Sequence, residues 1–180
     1  MCQDIIKSMD SITLKEVGIT GTNAEEDKNH FRSNLNRVTI DGTEDYRLVL
    51  FFIKKGTVMP LHDHPNMSVY FKLMYGKLSY FAYDKIDPKH KYNQFTEDEY
   101  SEILETNMII DAKKSKKKLI GGSNLLLVRP SLCNMHKFIA EEDSCFFDIC
   151  LPNYTTSMKR RLTFFEELPD TTGKSSETKN

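Results

Sequence analysis

Residues 60–84 read PLHDHPNMSVYFKLMYGKLSYFAYD. Beyond the first few positions the stretch alternates: Met67, Val69, Phe71, Leu73 and Tyr75 share one face of an extended chain, Gly76-Lys77 interrupts, and residues 78–83 resume the pattern. Apolar side chains at period two on either side of a glycine predict a β-hairpin. Just ahead of it, after a strand, stand His62 and His64. Side chains two apart on an extended backbone point the same way, so both imidazoles can reach one ion while Asp63 faces away.

Further strands are expected on both sides of the hairpin. The run YRLVLFFIK at 46–54 is crowded with β-branched and aromatic residues and is followed by Gly56, which predicts a buried strand. NLLLV at 124–128, residues 135–140 and SCFFDICL at 144–151 read as strands, with 161–165 a last candidate. Ile5, Ile6 and Met9 have helical spacing, and residues 21–36 are polar with few core positions, so 1–45 is expected to form an N-terminal helix-and-loop strap. The domain proper is placed at 46–169. Its least regular part, 85–118, is read as an insertion with Asp87-Pro88, a helix start at Thr96-x-x-Glu99, and the lysine run 113–118 as a solvated loop. The polar tail 170–180 is expected to be disordered. Seven or more short strands with few helices predict an all-β sandwich or jelly roll able to enclose a ligand or metal.

Composition narrows the function. Lys and Arg number 25 against 26 Asp and Glu, a net charge of −1, so no positive excess is available for general nucleic-acid binding. No apolar run approaches the ~20 residues of a spanning helix, so no membrane segment is expected. The N-terminus lacks the basic-then-apolar pattern of a secretory signal, and the four cysteines show no Cys-x-x-Cys spacing. Free thiols in a cytoplasmic setting are expected, with the lysine run the one feature pointing towards the nucleus. Nothing in the composition favours an oligomer, and a monomer is expected.

The glycines sharpen the reading of the histidine pair. Gly56 lies six positions before His62 and Gly76 twelve after His64, the frame of the first cupin motif, with Val69 where that motif has a glutamate. A site without the glutamate must draw a third imidazole from the second half of the barrel, and His136, 72 residues after His64, is the natural candidate. His30 and His90 lie in polar surroundings and are expected to be solvated.

The stretch 60–84 resembles the signature of the thiol dioxygenase family of cysteamine dioxygenase and plant cysteine oxidase. LKEVGI at 14–19, NMHKF at 134–138 and FFDICLPNY at 146–154 are similar to further segments of that family. The resemblance covers roughly 13–168. It implies a cupin double-stranded β-helix, with iron(II), Fe(2+), held by His62, His64 and His136, and with Asp148 and Tyr154 beside the metal as catalytic residues. Where animal members carry a Cys-x-Tyr that can crosslink, this chain has Leu162 and Phe164, so no thioether can form there.

Three neutral imidazoles leave the ion its full charge and open positions, which suits a substrate that supplies its own anion. The resemblance implies oxidation of a thiol to a sulfinate by O2, on the N-terminal cysteine of peptides and proteins, an oxygen-sensing step that marks them for the N-degron route. The alternatives are a dioxygenase of free cysteamine or cysteine, a small aminothiol in either case, and a cupin that holds zinc or nickel without turnover. Of the six arginines, Arg32, Arg37, Arg47, Arg129, Arg160 and Arg161, none lies in the ligand segments or in 148–154. A carboxylate-bearing substrate is therefore expected to be disfavoured against a peptide.

Overall fold

The computed structural model describes all residues except 1, 22, 93, 106–108, 122–124, 157–159 and 170–180. The expected tail lies outside the described residues. Two antiparallel sheets face one another. The first has the strand order β1 (Leu35–Gly42), β2 (Arg47–Ile53), β9 (Ser144–Leu151), β4 (Ser68–Tyr75) and β7 (Leu125–Val128). The second runs β3 (Val58–Asp63), β8 (Met135–Ala140), β5 (Lys77–Lys85) and β6 (Ala112–Ile120). Neighbours distant in sequence, such as β2 beside β9 and β3 beside β8, make this a jelly-roll cupin barrel rather than a meander.

The β4–β5 hairpin forms where the alternation places it. Gly76 at its turn has φ +88, and a Cβ there would come within 2.3 Å of Ser144 Oγ and 2.5 Å of the Asp143 carbonyl, so only glycine fits. Inward-facing Ile53, Phe71, Leu73, Leu78, Phe138 and Phe146 fill one end of the barrel. Phe71 stacks on Phe138 with centroids 5.0 Å apart and tilts against Phe146 at 4.8 Å, giving an aromatic floor.

The outer face of the first sheet is covered by the N-terminal strap. Helix α1 (Cys2–Ser11) forms where Ile5, Ile6 and Met9 place it, and Met9 packs with Val17, Ile19, Leu50, Phe52, Tyr70 and Phe147. Lys72 of β4 donates from Nζ to the carbonyls of Asp10 (2.6 Å) and Ile12 (2.9 Å), satisfying the C-terminal end of α1. Phe52 lies between the stacked ring of His30 (4.3 Å) and the edge of Phe31 (5.6 Å). Phe52→Ala is expected to cost about 3–5 kcal/mol, the range for emptying a buried phenylalanine site. Chemical denaturation measures this, and a loss below about 1 kcal/mol would show that the strap does not seal the sheet.

Four expectations are corrected. Residues 35–42, assigned to the strap, pair with β2 along its length as β1; polar alternation hid a strand whose pairing comes from a neighbour. The lysine run is not a solvated loop but strand β6, in continuous register with β5. Lys114 and Lys116 there lie 5.1 and 5.3 Å from the Phe81 ring centroid, their stems covering apolar surface. His62 belongs to a strand of its own, β3, rather than to the stretch after one. Residues 161–165 form only an isolated bridge, His62 to Phe164. Inside the insertion, α2 (Pro88–Lys91) is capped by the Asp87 carboxylate, and α3 (Glu97–Glu105) starts at Thr96 and Glu99 as expected, Thr96 N donating to Glu99 Oε2 at 2.8 Å. No helix among the described residues is long and apolar enough to cross a membrane.

Candidate metal centre

The barrel end opposite the aromatic floor is polar. It gathers the C-terminal ends of β3 and β9 and the N-terminal ends of β2, β4 and β8. On β3 the ladder to β8 slips between Met59 and His62, at Pro60-Leu61. The slip changes the alternation, so that Met59 and His62, three apart, both face inward while Leu61 packs outside with Tyr83 and Met135. A bulge at a proline, which has no N–H to give the ladder, is the local cause. His62 pairs directly with His136 across the strands.

His62, His64 and His136 converge as the two sequence arguments required: one ligand nitrogen from each lies within 4.8 Å of the others, and all three side chains are buried. His62 Nδ1 donates to the Pro60 carbonyl at 2.8 Å, which leaves the Nε2 lone pair free. The Tyr154 hydroxyl donates to the Asp63 carbonyl (2.8 Å), so its oxygen accepts from Nδ1–H of His64 (2.5 Å) and again Nε2 is left as a lone pair. His64 Nε2 and His136 Nε2 are only 3.1 Å apart. His136 Nδ1 is buried with no hydrogen-bond partner, so the His136 ring can either donate Nε2–H to the His64 lone pair or, in its other tautomer, turn its own Nε2 lone pair towards an ion. Burial, joined by the nearby charges of His62 and Arg47, holds His64 well below the usual histidine range. Burial does the same for His136 with help from His64 and His62, and lowers His62 as well. Three neutral donors are the form a metal ion requires, so the residues fit one.

Asp148 and Tyr154 stand at the same barrel end. Asp148 of β9 is 8% exposed, lies between Val49 and Phe71 in register, and its Oδ1 has no hydrogen-bond partner. Burial pushes its carboxyl up to about 8, against the pull of Arg47. Tyr154 packs against Met67, Val69, Val128 and Cys150, and its role is visible as a brace for His64. His30 and His90 stand apart from the cluster; His30 is stacked on Phe52 rather than solvated. Cys145 and Cys150 are core thiols, on opposite faces of β9.

Three residues escaped the sequence reading. Asn134, buried, donates from Nδ2 to the His64 carbonyl (2.6 Å) and to the Arg129 carbonyl (3.1 Å), tying the second ligand to the start of the third ligand's strand. Asp63 does face away from the histidine cluster, yet it is buried: it meets Lys85 Nζ at 3.4 Å and accepts from Thr163 N at 3.1 Å, anchoring the C-terminal segment. Arg47 contradicts the expectation that no arginine reaches the site. Its guanidinium carbon is 5.5 Å from the Tyr154 ring centroid, and its charge is felt by His64 and Asp148. The only available signal was its parity with Phe51 and Ile53 in a run apolar on both faces, which does not say which face is interior.

A jelly-roll barrel with three convergent buried histidines at its polar end defines a metal-site cupin. Residues 7–180 match the family model PCO_ADO, and the chain belongs to that family. It is 26% identical over 131 residues to a probable 2-aminoethanethiol dioxygenase of Dictyostelium discoideum, covering 68% of this chain and 51% of that one. It is 27% identical over 124 residues to the 2-aminoethanethiol dioxygenase of Homo sapiens (62% and 44% of the two chains). It is 22% identical over 178 residues to plant cysteine oxidase 1 of Arabidopsis thaliana (93% and 55%). The chain thus spans about half the length of the curated relatives it matches. Among solved structures it is similar to an uncharacterized double-stranded β-helix protein of Klebsiella pneumoniae, with a TM-score of 0.48 and 14% identity over 78% of this chain and 94% of that one.

Proposed function

We propose that the chain is an iron(II)-dependent dioxygenase that adds both atoms of O2 to a thiol to give a sulfinate, acting on the N-terminal cysteine of peptides and proteins in an oxygen-sensing step. The observation that carries this reading is the set of three neutral histidine nitrogens converging at the barrel end that also holds Asp148, a buried acid whose Oδ1 is unpartnered. Iron held by His62, His64 and His136 would supply the redox chemistry that protein side chains lack. The chain's own residues bind and orient. Asp148 Oδ1 is free to accept a hydrogen bond from the substrate amine, which sets the thiol carbon next to it in position. Tyr154 holds the His64 ring in one tautomer and one orientation. The floor of Phe71, Phe138 and Phe146 keeps bulk water from the inner side of the site, Phe138 lying 5.0 Å from the His136 ring.

The test is metal analysis after anaerobic purification, followed by oxygen uptake on adding a Cys-initiated peptide. One iron per chain and one O2 consumed per thiol support the proposal. Bound zinc or nickel with no uptake would turn the reading to a non-catalytic metal-binding cupin.

A further inference from the structure

The chemistry above leaves one interior cation unused. Arg47 begins β2 on the face it shares with Val49 and the inward-packed Phe51 and Ile53. Cys150 is its cross-strand partner, and Asp148 is the diagonal neighbour on the same face of β9. The Arg47 Nε is buried with no hydrogen-bond partner, and so is Asp148 Oδ1, yet the two side chains do not form an ion pair with each other. A half-buried guanidinium whose Nε is shut off from water and a buried acid, one strand apart and each with an idle polar atom, lose hydration at those atoms without a matching return. A molecule that offers a donor to Asp148 and an acceptor to Arg47 would satisfy both.

The thiols at issue differ in just this respect. Cysteamine carries an amine and nothing more. A cysteinyl group carries, on the same carbon as the amine, a carbonyl oxygen when it begins a peptide and a carboxylate when it is free cysteine.

We infer that Arg47 is a specificity-determining residue that receives the carbonyl or carboxylate oxygen of a cysteinyl substrate whose amine faces Asp148, so that the site prefers cysteine and Cys-initiated peptides to cysteamine. The inference rests on the thiol dioxygenase reading and narrows its substrate class. It also removes the premise on which free cysteine was expected to be disfavoured: a guanidinium binds a carboxylate through charge-assisted hydrogen bonds, stronger than those to a neutral amide.

The experiment measures kcat and KM of the iron-loaded protein for L-cysteine, a C-terminally amidated Cys-initiated peptide and cysteamine, in the parent, Arg47→Met and Arg47→Lys. Arg47→Met is expected to lower kcat/KM for cysteine at least tenfold, mainly through KM, to lower it less for the peptide, and to change cysteamine by less than threefold. Arg47→Lys should recover part of the cysteine activity. Anaerobic calorimetric titration of the same proteins with cysteine and cysteamine should show the matching loss of affinity without turnover. A loss shared equally by all three substrates would reduce Arg47 to packing against Tyr154, and an unchanged value for cysteine would overturn the assignment outright. If Arg47→Met fails to fold, Arg47→Gln carries the same comparison. If the parent binds iron but oxidises none of the thiols, the functional reading falls, and the anaerobic titration alone decides whether Arg47 selects cysteine.

Discussion

His136→Ala is expected to leave a folded protein with less than a tenth of its iron and no measurable thiol oxidation, and the same change at His62 or His64 should do likewise. The size of the effect follows from the donor count. The described residues bring together three ligating side chains with no carboxylate among them, so losing one leaves two neutral donors and no further ligand in the group to replace it. Folding should survive, because each histidine exchanges a buried polar group for a small apolar one at the polar end of the barrel, outside the apolar cluster that forms the floor. Iron content by elemental analysis and secondary structure by circular dichroism separate the two quantities. Full iron in His136→Ala would mean that the third ligand lies elsewhere.

Asp148→Asn should keep its iron, fold at least as well as the parent, and lose at least tenfold in turnover. The stability part has a definite sign. Burial raises the folded-state carboxyl from the ordinary 3.8 to about 8. Between those values the unfolded chain has released a proton that the folded chain retains, so Asp148 destabilises the fold increasingly as pH rises from 4 towards 8, at up to about 1.4 kcal/mol per pH unit. Asparagine has nearly the same shape and no such penalty, so its advantage over the parent in denaturant midpoint should widen over that range. Turnover falls because the amide presents an oxygen but no longer a group that can take up charge beside the substrate amine. Wild-type turnover with raised stability would assign Asp148 a purely structural place.

Much of the metal centre was legible in the residues because its determinants are local. His-x-His on an extended chain sets two ligands, and a missing glutamate at Val69 forces the search for a third. What stayed hidden depends on the partner a segment meets rather than on the segment's own pattern. The lysine run has a composition that reads as solvent, and it is a strand only because β5 runs beside it residue by residue. β1 has too polar a pattern to announce itself and is defined by its ladder with β2. Arg47 could not be placed because both faces of β2 are buried, one by the barrel interior and the other by the strap. Asn134 acts through backbone carbonyls, which leave no trace in side-chain patterning.

Strand β6 closes the second sheet at one edge, and an open edge is a template on which another chain can lay a strand. Here the template carries Lys113, Lys114, Lys116, Lys117 and Lys118 within six residues. A second copy extending the sheet at this edge would set ammonium groups opposite one another at cross-strand distance, where like charges repel. Within the chain the arrangement is tolerated, because β5 offers the face of Phe81 and the carboxylates of Glu141 and Glu167 take up Lys118 and Lys114. The run is thus a guard against edge-to-edge aggregation. Its protection is electrostatic and fades in concentrated salt, where the reach of each charge shrinks from about 8 Å at physiological ionic strength to about 3 Å at 1 M.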